Sequence, residues 1–544
     1  MIDLSHNRAA LLAEIEAPNP TDHPLGDITD FCVATRDTHV RVCGHAPEDL
    51  FPFLKLALSE RFAGVPRLQL IQDLLMPLKH ALGNAARHGN GRDPAKLIVV
   101  EVVLTRRGAL IAVTDEGEGF DAVLTFRRFQ EQQSYFVNRG IGFRHLHQAR
   151  CTASYENGGR TVLLCYQPTM SASEQPGAPA LSAHEPAPHP PLGPPFPHRG
   201  RETGEGAAQT RRMPFESGGS LPKILDSGWI QNCLSTEVAA FPDGLATIES
   251  CRVYATHGRA GDDCGHRYLL RVAGLDGRPT ETRILTGRLH ASAATAEADF
   301  EAATKLRDAA TSASVRIPQP VARLRAEPRL VLYDFDPWMT LWEYLDYHRD
   351  LMTLQHAAKR AGRALGALHR SRVTLRVVEP DSVAEPHQSI ISGAERNLET
   401  LPHGSDLINR FRFSVQRIQA QAKPRQPKTV TPIHGSLGWD CIHYGVDNRF
   451  YLYRFETCRR SDPGLDLGGF AADLRRWTLA RKERDAYPIC RDEFLSSYNS
   501  TADYPMDPDD LRLYVVLAVS ERIHRMSSLT RAGAEGLLDV VDAA

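Results

Sequence analysis

The sequence predicts an α+β protein in which two globular domains are separated by a linker. Between residues 28 and 167, strand patterns alternate with amphipathic helical patterns, as expected for helices packed on one face of a mixed sheet. Residues 168–220 are rich in Pro, Gly, Ala and Ser, which interrupts both patterns. From residue 221 onward, strands around one helix are followed after about residue 339 by mainly helical sequence. This order predicts a small β-rich lobe joined to a larger helical lobe.

The expected elements follow from periodicity and turn residues. In the first domain they are the strand THVRVCG, the helices PEDLFPFLKLALSERF and LQLIQDLLMPLKHALGNAARHG, the two strands of KLIVVEVVLTRRGALIAVTDEG, the helix IGFRHLHQA and the hairpin CTASYENGGRTVLLCYQ. In the second domain, the strands of CRVYATHG, RYLLRVAGLDGRPTETRILTGRLH and PRLVLYDF surround the helix AEADFEAATKLRDAA. The RRG and GG tripeptides mark the turns of two hairpins.

The composition is ordinary for a soluble protein and excludes several classes. The chain has 544 residues, of which 42% are hydrophobic, so it can build more than one core. Its 64 basic and 66 acidic residues give a net charge of −2, which is no electrostatic reason to expect binding to nucleic acid or to an anionic membrane. The ten cysteines include no CxxC pair, and neither a signal-peptide pattern nor a long apolar segment occurs. We therefore expect a cytoplasmic protein with reduced thiols.

The domain boundaries follow the shifts in composition. We expect an N-terminal extension over residues 1–27, a first domain over 28–167, a linker over 168–220 and a second domain over 221–544. The linker has too few large apolar residues to offset the entropy lost on ordering, so it should be a disordered tether.

Three short motifs in the first domain suggest a nucleotide pocket. Asn84 lies on a helix, and its carboxamide oxygen is a ligand that suits Mg²⁺. Asp115 ends a strand, where its carboxylate can accept a hydrogen bond from the amino group of adenine. Gly117 and Gly119 follow it, and without a Cβ they let the backbone approach the base. The motifs thus supply a metal ligand and a base-binding group.

The third motif, RGIGF, supplies the phosphate contact. Gly140 and Gly142 open a helix, where backbone N–H groups and the helix dipole favour phosphate. The segment 121–138 between the second and third motifs is short.

Taken together, NAARHG, DEGEGF and RGIGF resemble the nucleotide-binding motifs of the histidine kinase and Hsp90 ATPase superfamily, in particular its anti-sigma-factor serine kinase branch. The resemblance covers residues 40–165 and implies an α/β-sandwich domain that binds ATP and Mg²⁺, with residues 121–138 as its lid. Thr161 matches the threonine that closes the floor of the pocket. The cofactor-binding residues that it implies are Asn84, Arg87, Asp115, Gly117, Gly119, Gly140, Gly142 and Thr161, with Asn84 on the metal.

His80 departs from that pattern. Serine kinases and related ATPases have a glutamate general base four residues before the asparagine, and this chain has His80 there. A neutral imidazole can accept a proton near pH 7, which makes His80 a candidate catalytic residue. The alternative, which we favour, is that the domain binds ATP with little turnover. An ATPase or a serine/threonine protein kinase remains open.

The second domain contains HGSLGWDC, then RFE, then SDPGLDLGGF. This order and spacing resemble the aminoglycoside phosphotransferase and choline kinase family over residues 225–540, which implies a two-lobed protein-kinase-like fold. His434 begins the loop that carries the catalytic residues in that family, and Asp466 matches an aspartate that braces the loop.

The family's catalytic groups are replaced. Where the resemblance expects the catalytic Asp, the metal-binding Asn and the metal-binding Asp, this chain has Ser436, Cys441 and Arg454. The phosphate-binding lysine is absent as well, and Arg288 takes its approximate place, with Glu297 or Glu301 as its expected helix partner. Because phosphoryl transfer depends on positioning and charge stabilisation, these replacements predict an inactive, pseudokinase domain. A divergent enzyme that uses Asp440 or Glu456 is the alternative.

The sequence therefore favours a bacterial regulatory protein that binds ATP in its first domain and uses its second domain to dock or sense a protein partner. The rival hypothesis is a small-molecule or protein phosphotransferase acting through the second domain. A third, a structural adaptor with both pockets empty, conflicts with the intact Asn84 and Asp115.

Overall fold

The computed structural model describes residues 1–17, 25–26, 39–131, 145–147, 149–168, 221–237, 247–255, 265–273, 281–309, 316–375, 384–421, 430–445, 447, 449–526 and 529–543. The chain divides into two compact units, Met1–Pro186 and Ala187–Ala544. Both units combine helices with sheets, which confirms the α+β class. Apart from Pro168, the predicted linker lies outside the described residues.

The N-terminal unit is built on a six-stranded sheet with the order β1-β2-β3-β4-β6-β5. All its strand pairs are antiparallel except β1 with β2, which are parallel. The strands are β1 (Leu25–Gly26), β2 (His39–Gly44), β3 (Ile98–Leu104), β4 (Ala109–Asp115), β5 (Thr152–Glu156) and β6 (Thr161–Tyr166). Because β3 and β4 are central and apolar on both sides, both faces of this sheet need cover.

One face is covered by the predicted amphipathic helices. They are α2 (Pro47–Arg61), α3 (Arg67–Leu70) and α4 (Met76–Asn84); α5 (Ala122–Gln130) follows the glycine-rich strand end. A π-helical turn, Ile71–Leu75, joins α3 to α4, and a second, Ala85–Gly89, continues α4 to the candidate site. Such widened turns often occur at functional sites because they redirect the helix locally.

The other face is covered by a helix that the sequence analysis assigned to an extension. Helix α1 (Arg8–Glu14) buries Leu11 and Leu12 against Leu110, Leu163 and neighbouring side chains of the sheet. Its Arg8 donates hydrogen bonds to Glu101 on β3 and Glu156 on β5. Residues 1–17 are therefore part of the N-terminal unit, and helices lie on both faces of its sheet rather than on one.

The C-terminal unit begins with a five-stranded antiparallel sheet of order β10-β11-β9-β8-β7. Helix α7 packs on one face, and α8 contacts β10 and β11. These elements are α6 (Leu221–Ile224), α7 (Ser227–Glu237), β7 (Thr247–Ala255), β8 (Gly265–Ala273), β9 (Glu281–Leu289), α8 (Ala293–Ala309), β10 (Gln319–Arg323) and β11 (Leu330–Asp334). The predicted β-rich lobe is present, but it contains the helices α6 and α7 in addition to the expected α8.

The rest of this unit is mainly helical, as predicted, with two small sheets that hold the candidate loop. The sheets have the orders β12-β14-β15 and β13-β16. The elements are β12 (Pro337–Thr340), α9 (Leu341–His348), α10 (Leu351–Arg370), α11 (Ala384–Glu399), α12 (Gly404–Gln421), β13 (Thr431–Ile433), β14 (Ile442–Gly445), β15 (Phe450–Leu452), β16 (Arg459–Ser461), α13 (Gly464–Ala480), α14 (Ala486–Asn499), α15 (Pro508–Arg525) and α16 (Arg531–Asp542). Among the described residues, no helix has the length and apolarity needed to cross a membrane.

Candidate functional site

The first candidate site is formed where β4 ends against the last turn of the long helix. Asp115 faces Gly89 so closely that a Cβ on Gly89 would lie 2.1 Å from the Asp115 Cγ. A Cβ on Gly117 would lie 2.2 Å from the Gly89 carbonyl oxygen. Both glycines are therefore required by close approach, and the structure brings Asp115 and Gly117 together as predicted.

Asp115 is held in an acceptor geometry. One carboxylate oxygen accepts a hydrogen bond from the Gly117 N–H at 2.9 Å. Burial raises the pKa of this carboxyl, because it penalises the charged form more than the Gly117 N–H and the charge of Arg160 favour it. The group remains half-exposed and able to accept a further hydrogen bond.

Asn90, which the sequence analysis did not single out, ties the helix end to this loop. Its side chain is 2% exposed, accepts a hydrogen bond from the Glu116 N–H at 2.8 Å and donates one to the Leu97 carbonyl at 3.0 Å. The side chain of Glu116 in turn accepts from the Leu97 N–H. Because all of Asn90's hydrogen bonds are made to backbone or loop groups, its role is positional. The NAxxHG pattern ends one residue before it, so no motif pointed to it.

Gly119 continues the loop against the hairpin turn between β5 and β6. Its φ is +80°, and a Cβ there would lie 2.2 Å from the Gly158 carbonyl oxygen. The Phe120 N–H donates to that same carbonyl at 2.8 Å. The left-handed φ and the close approach both demand glycine at residue 119.

The helix residues of the predicted site lie along α4 and the following turn. Asn84 is half-buried, and its carboxamide has no hydrogen-bond partner among the described residues. Arg87 is exposed and donates from Nε to the Gly83 carbonyl at 3.0 Å. His80 lies one turn before Asn84 and contacts the ring of His145, with ring centroids 4.4 Å apart. His145 was not predicted, although it lies two residues after the third motif.

One residue of the predicted pocket, Thr161, is not brought to Asp115. Thr161 is fully buried, and its hydroxyl lies 2.9 Å from that of Thr114. Because neighbouring residues of a strand point to opposite faces, Thr161 lies across the sheet from Asp115, so the expectation that it closes the pocket floor is wrong. Gly140, Gly142 and the second half of the predicted lid lie outside the described residues.

The second candidate site is a chain of alternating charges in the C-terminal unit. Arg288, on β9, donates two hydrogen bonds to Glu456, with Nη1–Oε2 at 2.6 Å and Nη2–Oε1 at 2.7 Å. Arg288 Nη1 also lies 3.4 Å from Asp299 on α8. Burial alone would raise the pKa of Glu456, but the hydrogen bonds and charge of Arg288, together with Arg454, lower it well below its usual range.

Asp299 replaces the expected helix partners of Arg288. Glu297 instead lies 3.5 Å from Arg323 at the surface, and Glu301 pairs with Lys305. The expectation that one of these glutamates contacts Arg288 is therefore wrong. Asp299 is fully buried and accepts hydrogen bonds from the Phe455 N–H at 2.6 Å and the Tyr333 hydroxyl at 2.5 Å.

Arg454 extends the chain of charges toward the loop. Its Nη1 donates to Asp440 at 2.7 Å, and its Nε lies 4.0 Å from Glu456. Its backbone φ is +77°, an unusual conformation for a residue with a long side chain. The guanidinium therefore lies between two carboxylates, at the residue where the resemblance expects a metal-binding aspartate.

The other two replaced residues are engaged within the loop. The Ser436 hydroxyl lies 2.7 Å from that of Thr457, which itself donates to the His434 carbonyl at 3.0 Å. Cys441 is buried, and its Sγ lies 3.7 Å from the Ser436 carbonyl oxygen. Burial, with a smaller effect from Asp440, raises the pKa of the Cys441 thiol, so the thiol stays protonated.

Asp466 braces the start of this loop, as the resemblance implies. It is fully buried and accepts hydrogen bonds from the backbone N–H groups of His434 at 2.7 Å and Gly435 at 2.9 Å. His369 on α10 lies 3.1 Å from the same carboxylate. Burial opposes ionisation, but the His369 hydrogen bond and nearby charges lower the pKa of Asp466. His434 is itself buried, with Nε2 2.9 Å from the Tyr453 carbonyl oxygen.

A divalent metal fits the two sites differently. In the C-terminal site, a protonated thiol and a guanidinium are poor surroundings for Mg²⁺, which prefers oxygen ligands, so the residues there do not fit the ion. In the N-terminal site, Asn84 offers one amide oxygen, which fits an ion held mainly by nucleotide phosphates. Within the described part of the chain, no three His, Cys, Asp or Glu side chains are grouped as a metal site.

Comparison with known proteins gives structural likeness only. No family model matches the chain, and no curated protein matches it in sequence. A choline/ethanolamine kinase family protein from Mesorhizobium loti is similar over 57% of this chain and 93% of its own, at 15% identity and a TM-score of 0.35. Choline kinase from Streptococcus pneumoniae covers 58% of this chain and 96% of its own, at 12% identity and 0.35. A spectinomycin phosphotransferase in complex with ADP and spectinomycin covers 58% and 97%, at 11% identity and 0.38.

Proposed function

We propose that this protein is an ATP-binding regulatory protein whose C-terminal kinase-like domain docks or senses a protein partner without transferring phosphate. The observation that carries the proposal is the Arg454–Asp440 ion pair beside Glu456. It neutralises the carboxylates that could otherwise hold a metal ion.

The same neutralisation applies to the phosphate-binding side of the site. Both Nη atoms of Arg288 are bound to Glu456, and Asp299 lies on its other side. A phosphate group would have to displace Glu456 from Arg288, at the expense of a buried bidentate pair. Ser436 offers a hydroxyl where phosphoryl transfer needs a carboxylate that positions the acceptor. Each group required for transfer is either replaced or already bound.

ATP binding is proposed for the N-terminal domain. Asp115 lies between two close-packed glycines and has free acceptor capacity for an adenine amino group. Asn84 has an unengaged amide oxygen for Mg²⁺ in the described part of the chain. His80 stands in place of a carboxylate base, so we expect ATP to be hydrolysed slowly. The protein would then respond to the binding of nucleotide rather than to its hydrolysis. The resemblance to anti-sigma-factor serine kinases suggests a protein partner that is held or modified on Ser or Thr according to that state.

Calorimetric titration of the full chain with ATP and Mg²⁺ tests nucleotide binding. We expect saturable binding that is weakened at least tenfold in Asp115→Ala and retained in Asp93→Ala, an exposed aspartate of the same unit. Binding lost instead in Arg288→Ala, with Asp115→Ala unchanged, would move the nucleotide to the C-terminal domain and contradict the proposal. His80→Glu should hydrolyse ATP faster than the wild type; brisk hydrolysis by the wild type that His80→Ala removes would identify His80 as a working base.

Radiolabel transfer from ATP to aminoglycosides, choline-like alcohols and protein hydroxyls tests the C-terminal domain. We expect none above background. Metal-dependent transfer that Asp440→Ala or Glu456→Ala abolishes would support the phosphotransferase alternative instead. The triple variant Ser436→Asp, Cys441→Asn, Arg454→Asp restores the expected ligands, and Mg²⁺-dependent nucleotide binding should appear there and survive Asp115→Ala.

A further inference from the structure

A basic cavity lies in the helical lobe at the start of α14, separate from both candidate sites. Its volume is about 280 Å³, and four arginines line it: Arg475, Arg484, Arg491 and Arg512. They come from α13, from the turn before α14, from α14 and from α15. Among the described residues, no carboxylate lines the cavity wall. Four guanidinium groups thus converge from separate elements on one concave surface.

The positive charge of this cavity is only partly compensated. Arg491 pairs with Asp492 at 2.7 Å, and Arg512 lies 3.6 Å from Asp509. The side chains of the two aspartates are 60% and 75% exposed, so solvent screens both pairs. In the described part of the chain, Arg484 has no carboxylate within ion-pair distance. Four guanidinium groups against two aspartates leave two positive charges in excess.

Arg475 is half-buried. Its Nη2 donates to the Ala543 carbonyl at 2.8 Å, and its guanidinium lies 4.3 Å from the centroid of the Tyr487 ring. Its Nε–H is buried and has no hydrogen-bond partner among the described residues. Burial, with the charges of Arg484 and Arg491, lowers the pKa of Arg475, as expected where cations crowd together. A buried donor without a partner is costly unless a ligand supplies an acceptor.

Two further features suit an anion. Tyr487 and Pro488, in the first turn of α14, line the cavity, so the positive end of that helix dipole points toward it. The planar forks of arginine match the oxygens of phosphate better than a single ammonium does. The cavity volume is just below the usual range for ligand pockets, about 300–1,000 Å³, which suits a small ligand.

We infer that this cavity binds a small phosphorylated molecule, whose phosphate is held between Arg475, Arg484 and Arg512. A phosphate monoester carries a charge of about −1.5 to −2 at pH 7, which matches the excess of two positive charges. Pro508 and Leu511 give the ligand a small apolar contact. The inference does not depend on the proposed function, because none of these residues belongs to either candidate site.

Calorimetric titration of the full chain with inorganic pyrophosphate, in buffer without Mg²⁺, tests the site. We expect saturable binding tighter than about 1 mM at low salt. A charge-assisted hydrogen bond contributes about 1.5–3 kcal/mol, or roughly tenfold or more in affinity, but Arg484 is exposed, so Arg484→Gln should weaken binding about fivefold. The double variant Arg484→Gln, Arg512→Gln should weaken it more than about tenfold.

Lys482→Gln is the matched control, because it removes the same charge from an exposed residue two positions from Arg484 that does not line the cavity. It should change affinity less than about twofold. Arg484→Lys, which keeps the charge but loses the fork, should fall between the wild type and Arg484→Gln. Binding should also weaken with added NaCl.

Any of three results would overturn the inference. The first is no binding of pyrophosphate by a wild-type chain whose thermal unfolding is normal. The second is binding that both Gln variants leave unchanged, which would place the anion elsewhere in the chain. Loss of binding in Asp115→Ala with the arginine variants unaffected would assign the anion to the nucleotide pocket and would likewise refute it.

Discussion

Replacing Glu456 with glutamine should destabilise the C-terminal unit, because Glu456 joins two arginines in the chain of charges. The substitution keeps the size of the side chain and removes only its charge. Arg288, whose side chain is 5% exposed, would then keep Asp299, at 3.4 Å, as an ionic partner. Arg454 would keep Asp440.

The magnitude follows from burial. Removing one partner of a buried ion pair costs about 3–5 kcal/mol because the other charge is left buried. The Glu456 side chain is 19% exposed and Asp299 remains beside Arg288, so we expect a smaller loss, about 2–3 kcal/mol. For a domain of more than 150 residues, each kcal/mol shifts the melting temperature by about 2–4 °C, so the expected shift is about 4–12 °C.

Differential scanning calorimetry of the full chain measures this loss in the transition of the C-terminal unit. Glu297→Gln is the control, since Glu297 also lies near an arginine but its side chain is 55% exposed. It should change stability by less than about 0.5 kcal/mol. Equal effects of the two substitutions, or a Glu456→Gln variant as stable as the wild type, would refute the assignment of Arg288 to Glu456.

The pH dependence provides a second measurement of the same interaction. Because the pKa of Glu456 is lower in the folded state than its ordinary value of 4.5, the stabilisation is complete above about pH 4.5. It is lost as the pH falls through the lower folded value. The stability difference between the wild type and Glu456→Gln should therefore be constant from neutral pH to about pH 5 and shrink below about pH 4.5.

Three further predictions concern the two sites. Gly89→Ala should weaken ATP binding, measured by calorimetry, at least tenfold, because the new Cβ would lie 2.1 Å from the Asp115 Cγ. Gly64→Ala is the control and should leave binding unchanged, because no atom lies within 4 Å of a Cβ there. Because burial raises the pKa of Asp115, lowering the pH should weaken ATP binding at a higher pH than it would for an aspartate with an ordinary pKa. An ATP affinity independent of pH would contradict the role of Asp115 as a hydrogen-bond acceptor. Asp466→Asn should lower the free energy of unfolding in urea by about 3–5 kcal/mol, far more than Asp509→Asn at the surface.

The error over the partner of Arg288 has a simple geometric cause. In a helix each residue turns by about 100°, so Glu297 and Glu301 share one face and Asp299 lies about 200° from both. Ala296, Asp299, Ala303 and Leu306 follow the 3- and 4-residue spacing of a buried stripe, and all four are buried. An acidic residue within an apolar stripe was the signal available in the sequence.

The placement of α1 was harder to predict. Leu11, Leu12 and Ile15 form an apolar stripe, but such a stripe does not specify which surface it covers. The run ALIAV in β4 indicated a strand buried on both faces, which required cover on the second face of the sheet. Which element packs on that second face depends on the order of the strands, and tertiary packing determines that order. The structure joins Asp115 to Gly117 and Asp466 to His434 through hydrogen bonds that are local or follow loop geometry.

The charges of the C-terminal site are compensated by side chains of the chain itself. Asp440 and Glu456 both lie near Arg454, and Glu456 is also paired with Arg288. Arg454 supplies positive charge between them, at 2.7 Å from Asp440 and 4.0 Å from Glu456, so the loop is stable without a cation. It does so from a backbone with φ of +77°, a conformation that costs a non-glycine residue about 1–3 kcal/mol. That strain persists because the ion pairs and the Asp299–Phe455 hydrogen bond hold the next residues in place. A guanidinium that offsets such strain by binding two carboxylates has a structural role there.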